Sequence, residues 1–214
     1  IDFTHNGVVG DFENAANVET ETGRNFAYPY WLRIREKNMT KEEPVVATLN
    51  ELLFAETGVF SMEARPGFLK PIVSTGEQIS IETRAVFDKK STEELSLDFE
   101  SRLQAPKIIV GRVSQNLPSP FLGINGGNTK TPASLMLVGD TDWLYDGFSR
   151  AGIGSTAATL SRPINDNNNL FLNLVEFSAG SDDLLEIRSR KSPVRVFSKV
   201  EEMLVSSREK YYSK

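Results

Sequence analysis

A mainly β fold, an antiparallel β-sandwich or jelly-roll-like domain with a C-terminal helix, is what the sequence predicts, and three observations carry the prediction. The first is residues 78–102, where Ile79, Ile81, Thr83, Ala85 and Phe87 alternate with Ser80, Glu82 and Arg84, and Leu95, Leu97, Phe99 and Leu103 alternate with Asp98, Glu100 and Arg102. Successive strand side chains point to opposite faces, so this pattern gives a hairpin with one dry side and one wet side, joined by the charged loop 88–94. The second is a succession of short apolar or β-branched runs bounded by Pro and Gly, enough for eight to ten strands. The third is Ser198 followed by Glu201, the Ser-x-x-Glu capping box, at the head of an amphipathic stretch with Val200, Met203 and Leu204 on one side.

Taken in order, residues 1–25 are rich in Asn, Thr, Glu and Gly with isolated apolar residues, and read as an extended N-terminal arm with at most one or two strands. Residues 26–35, FAYPYWLRIR, form a strand with Tyr30, Leu32 and Ile34 on one face and Trp31, Arg33 and Arg35 on the other. Pro29 places the start of that strand at an edge or just outside the sheet. In residues 44–55 the spacing of Val45, Leu49, Leu52 and Leu53 favours a helix after Pro44 and before Gly58, although Val45, Val46 and Phe54 also suit a strand. Residues 59–64 make a short strand before the Pro66-Gly67 turn, and Thr75-Gly76 turns the chain into the hairpin. Beyond Pro106, residues 107–113 are a β-branched strand.

Residues 116–132 hold three prolines and three glycines and read as a long loop, functional or a seam between parts of the domain. A short strand at 134–138 follows, then a helical turn within 140–148, and a stretch at 150–163 without a clear period. Residues 170–177, LFLNLVEF, read as a central strand, and 184–189 and 193–197 as two more. The expected organisation is thus an arm over 1–25, a β-sandwich domain over 26–197 and a helix over 198–214.

Composition narrows the functions. The 214 residues carry a net charge of −5, with 39 % hydrophobic and 25 % charged residues, a globular balance without the basic footprint of nucleic-acid binding. No apolar run approaches the roughly 18 residues needed to cross a bilayer. With no cysteine, disulfides and thiol chemistry are excluded, and with His5 as the single histidine, zinc sites and a Ser-His-Asp triad have little support. Charge is uneven: residues 1–30 hold five acids against Arg24, and residues 184–214 eight bases against four acids. The two ends are either independent solvated surfaces or a head-to-tail contact between subunits.

Candidate site residues follow from chemistry. Tyr28, Tyr30, Trp31 and Trp143 offer flat faces for sugar stacking or, equally, for packing under a loop. Arg188, Arg190, Lys191 and Arg195 form the densest basic cluster, suited to an anionic partner or to guarding an edge strand. Calcium is the metal the oxygen-rich loops allow, with Asp166, Asp182 and Asp183 as ligands, although Asn and Asp also favour turns. Otherwise no cofactor is expected. Asp11 with Glu13 and Asp142 with Asp146 are carboxylate pairs of the kind hydrolases use, and equally of the kind that caps and solvates. Gly123 to Asn128 is Gly-rich but lacks the GK[ST] ending of a phosphate loop.

Together these give a non-enzymatic structural or assembly module acting through protein contacts, of virion, tail or surface-assembly type, in an extracellular or virion setting rather than a cytoplasmic one. Protein subunits, including further copies of the chain, are its expected partners. The alternative is a carbohydrate-binding accessory domain with a glycan ligand, and a carboxylate-based hydrolase comes third.

Overall fold

A computed structural model describes residues 7–19, 23–60, 67–118, 130–153 and 160–180. In chain order these form β1 (Gly7–Asp11), β2 (Ala15–Glu19), β3 (Asn25–Arg35), β4 (Glu51–Ala55), β5 (Lys70–Ser74), β6 (Gln78–Thr83), α1 (Arg84–Phe87), α2 (Thr92–Leu97), β7 (Arg102–Leu103), β8 (Ile108–Pro118), β9 (Lys130–Val138), α3 (Asp146–Ser149), β10 (Arg150–Ile153), β11 (Leu160–Pro163) and α4 (Asn167–Ser178). The strands pair antiparallel into four small sheets, β2-β3-β4, β1-β6-β7, β5-β8-β9 and β10-β11. The mainly β, antiparallel expectation holds. No barrel closes among the described strands, and they divide among small sheets rather than two large facing ones.

Two cores hold the sheets together. The larger gathers Val9, Leu32, Ile34, Leu52, Phe54, Ile72, Ile79, Ile109, Val110, Trp143, Leu170 and Leu174. The smaller is aromatic, built on Val8, Tyr28, Tyr30, Phe87 and Leu95. Val8 and Val9 are sequence neighbours on β1 and so face opposite ways, one into each core. Residues 7–19 of the expected arm thus carry β1 and β2, with Val8, Val9 and Ala16 buried.

Strand β3 bears out its pattern. Tyr30, Leu32 and Ile34 are buried, while Arg33 and Arg35 are exposed and reach the Glu51 carboxylate on β4 at 3.4 and 3.8 Å. Pro29, expected at an edge, lies inside the strand, and the register explains how. Strand β2 pairs Ala15 with Leu32 and Ala16 with Tyr28, so the chain bulges past it over residues 29–31, and β4 engages only from Trp31 onward. The N–H that proline lacks would have met no partner there.

Three expectations are corrected. The return arm of the hairpin is not a strand from 95 to 103. Ser91 caps α2, its Oγ accepting the Glu94 N–H at 3.3 Å while the Glu94 carboxylate accepts the Ser91 N–H at 2.8 Å. This local signal overrides the alternation: Leu95 turns into the aromatic core, the Ser96 hydroxyl donates to the Ala27 carbonyl, and Leu97 is left exposed. The chain rejoins β6 for only two residues, pairing Gln78 with Leu103 and Ile79 with Arg102.

Residues 44–55 hold turns and then β4 in place of a helix. Val46 N–H donates to Glu43 O and Leu49 N–H to Val46 O, both at 3.1 Å, and the Lys41 ammonium ties the Val46 and Leu49 carbonyls. Val45, Val46, Leu49, Leu52 and Phe54 are buried all the same, as the apolar pattern required of either shape.

Residues 170–177 are helical within α4. Asn167, Leu170, Asn173 and Leu174 form its buried face, and Phe171, Leu172 and Val175 its exposed one. A continuous apolar run does not distinguish the two shapes, and polar anchors decide here. Asn167 accepts the Leu53 N–H at 2.9 Å and donates to Leu53 O at 2.7 Å and Trp143 O at 2.6 Å, so its amide completes the free edge of β4 as a neighbouring strand would. Asp166 accepts the Asn50 N–H at 2.8 Å, and Asn173 donates to Val45 O at 2.9 Å.

Elsewhere, β8 and β9 appear where expected and extend toward each other, pairing Asn116 with Pro132, so both ends of the Pro/Gly-rich segment belong to a long hairpin. The aperiodic stretch after Phe148 forms the β10-β11 hairpin. Of the strand expected at 59–64, Phe60 bridges Ile108, Val59 packs against the larger core outside any strand, and 61–64 lie outside the described residues. The strands expected at 184–189 and 193–197 and the helix at 198–214 also lie outside them. No helix among the described residues is long and apolar enough to cross a membrane.

Candidate functional site

At the end of β4 the backbone does something its residue type disfavours. Glu56 adopts φ +54°, and no other described non-glycine residue has positive φ. For an L-residue this left-handed conformation costs on the order of 1–2 kcal/mol, so the surroundings must impose it. They do so from both sides. The Glu56 N–H donates to Tyr30 O at 2.7 Å, the Ala55 N–H to the Asp140 carboxylate at 2.9 Å, and the Gly58 N–H to Gly139 O at 2.9 Å, while Thr57 O accepts the Val9 N–H at 3.0 Å. Gly58 and Gly139 approach so closely that a Cβ on Gly139 would lie 2.4 Å from Gly58 O.

Glu56 is exposed, and its carboxylate is partly desolvated by the residues around it. The Trp31 indole N–H and the Tyr28 hydroxyl are the donor groups nearest to bear on its charge. Its pKa is raised, chiefly because burial removes water from the charged form; the Trp31 indole N–H and Arg84 oppose this, and Asp140 and Asp142 add to it. Tyr28 is pushed up by burial first and then by Glu56, and Tyr30 to about 12 by burial and then Glu82.

Asp140 anchors the opposite wall. It is buried and accepts the Ala55 N–H on one oxygen and the Asp142 N–H at 2.7 Å on the other. Burial raises its pKa too, against the lowering effect of those backbone donors. Aromatic rings complete the patch: Trp31 meets Phe148 edge-on at 5.1 Å, and Phe148 meets Tyr145, itself 65 % exposed, at 5.5 Å. The result is a surface with a partly desolvated carboxylate, an exposed phenol and the exposed Asp142 beside it. Such a surface suits a partner's cation or hydrogen-bond donor. No group of three or more potential metal ligands occurs among the described residues.

A model of a family described as ABC-type uncharacterized transport system, auxiliary by its short name, matches residues 4–174. The chain belongs to this family. The match takes in all the described strands and the first two-thirds of α4, so the Glu56 patch lies wholly inside it. No curated protein and no solved structure matches the chain.

Membership in this auxiliary transport family overturns the virion, tail or surface-assembly reading and the glycan-binding alternative alike. The aromatic residues singled out in the sequence have other work. Tyr28 and Tyr30 are buried in the aromatic core, and Trp143 is buried against Phe54. Trp31 is half-buried and serves Glu56. Of the calcium ligands, Asp166 spends one oxygen on the Asn50 and Glu51 N–H groups and the other on the Asn169 amide, fastening α4 to β4. Asp182, Asp183, Arg188, Arg190, Lys191 and Arg195 lie outside the described residues.

The carboxylate pairs do not make a cleft. Asp11 is fully buried and accepts four N–H groups, from Glu13, Asn14 twice and Gly76, while Glu13 pairs with Lys37 at 3.3 Å. Asp142 belongs to the patch, and Asp146 opens the one-turn α3. Sequence reasoning missed Glu56 and Asp140. Asp140 had a readable signal, an Asp whose side chain bonds the backbone two residues on in Gly-Asp-Thr-Asp. Glu56 had none, since left-handed positions are sought at Gly, Asn and Asp.

Proposed function

We propose that this chain is an auxiliary protein of an ABC-type transport system that binds another component of that system through the surface around Glu56, Trp31, Tyr145 and Asp142. One observation supports this reading above others. A strained backbone, fixed on both sides, presents a carboxylate with a raised pKa on an exposed face inside the region the family shares. These residues hold no GxxxxGK[ST] phosphate loop, and the role we assign to them is contact. Copurification tests it. The tagged chain, isolated with membranes from its own cells, should retain identified components of an ABC transporter, and Glu56→Ala should lower that retention at least tenfold with the fold intact. Equal retention would remove the Glu56 surface from the contact, and absence of every transporter component would refute the assignment itself.

A further inference from the structure

Strand β6 is covered unequally. On one side β1 pairs with it from Ile79 to Thr83, and on the other β7 pairs only with Gln78 and Ile79. The ladder bonds say which groups are left. Phe12 N–H donates to Gln78 O at 3.3 Å, so even-numbered residues of β6 direct their backbone groups toward β1. Gln104 N–H donates to Glu77 O at 2.9 Å, so odd-numbered ones face β7. The N–H and C=O of Ile81 therefore point to the side that β7 has already left, and no described strand pairs with them there.

What occupies that side is a groove of about 300 Å³, lined by Ile81, Glu82, Asp98, Glu100, Arg102 and Gln104 among others. It lies where the return arm of the hairpin would have run had α2 not drawn residues 92–97 away. Ile81 is 40 % exposed in it. Asp98 is paired with Lys90 at 2.9 Å, whereas Glu82 and Glu100 form no ion pair within 4 Å among the described residues; against the one cation of the lining, Arg102, they leave the groove with a net negative charge.

We infer that this edge receives an extended strand of a partner protein carrying Lys or Arg at alternate positions. The added backbone would take the Ile81 N–H and C=O, and basic side chains on one face would meet Glu82 and Glu100. The open edge, residues 80–83, is only about 13 Å long at 3.3 Å per residue, so the site holds a short strand and binding is weak and salt-sensitive. It is a second surface, distinct from that around Glu56, and does not depend on the transport assignment.

The test uses the full-length chain and three seven-residue peptides: alternating Lys and Thr, alternating Glu and Thr, and the Lys peptide with alternate amides N-methylated. Amide hydrogen exchange at Ile81 is the readout. The Lys peptide should slow that exchange at least tenfold at saturation, with the Glu and N-methylated peptides doing so far less, and the double variant Glu82→Gln, Glu100→Gln should weaken binding about tenfold. Three results would overturn the inference: an Ile81 amide already protected in the free protein, which would mean that the chain covers its own edge; protection that grows with protein concentration alone, which would make the occupant a second copy; or equal effects of the three peptides.

Discussion

Glu56 makes backbone strain and side-chain bonding separable by two substitutions. Glu56→Ala removes the carboxylate but keeps a Cβ at φ +54°; Glu56→Gly removes both. The loss of the carboxylate's interactions with Trp31 and Tyr28 is common to the two and cancels in their comparison. The variants differ by the left-handed penalty, on the order of 1–2 kcal/mol, less the roughly 0.5–1 kcal/mol by which glycine loosens the unfolded chain. Glu56→Gly should thus be more stable than Glu56→Ala by about 1 kcal/mol, or roughly 2–4 °C in Tm for a chain of this size. Urea denaturation followed by circular dichroism resolves such a difference at fixed m-value. If Glu56→Gly were no more stable than Glu56→Ala, the backbone at residue 56 would not be strained and the site would lose its main support.

Three further outcomes follow from the same contacts. Glu56 has a raised pKa in the fold, so the folded state binds its proton more readily than the unfolded one; the residue's contribution is most favourable below the ordinary carboxyl range and declines as pH rises through the raised value. The stability gap between wild type and Glu56→Gln should therefore move in favour of wild type on going from pH 7 to pH 5, and an unchanged gap in urea midpoints would contradict the shift. Asn167→Ala removes two hydrogen bonds at the edge of β4 and a third to Trp143 O, leaving half-buried Leu53 groups and the buried Trp143 carbonyl unpaired, which should cost about 3 kcal/mol and show first as faster amide exchange at Leu53. Gly139→Ala forces apart two backbones that a Cβ cannot separate without movement, with an expected cost of about 2 kcal/mol by thermal denaturation.

How far the sequence revealed this molecule depends on which signal spoke at each position. Where period-two alternation had no competitor, as in β3, strand and buried face were legible residue by residue, and the β-branched run of β8 gave the strand without its face. Where a local capping signal competed, the alternation of Leu95, Leu97 and Phe99 lost: Ser91 and Glu94 fix the first turn of α2 with bonds four residues or fewer apart, whereas pairing with β6 has to close a longer loop. The same Ser-x-x-Glu rule, applied to Ser198, was available at Ser91. The run 170–177 was misread because its apolar residues fit either period, and the deciding atoms are the Asn167 amide and the Asp166 carboxylate, whose partners on β4 stand more than a hundred residues away. No window of sequence contains that contact.

The same reasoning explains why both proposed surfaces arise where a local rule gives way. Had residues 95–103 completed the hairpin, Ile81 would be paired and no groove would separate Glu82 from Glu100. Had residue 56 been glycine, the turn after β4 would be relaxed and no carboxylate would lie against Trp31 and Tyr28. In each place the fold forgoes a simpler arrangement, and in each a polar group is left facing outward: a backbone amide and carbonyl on β6, a carboxylate after β4. On stability grounds alone both places would be closed, and the two proposed contacts are what would complete them.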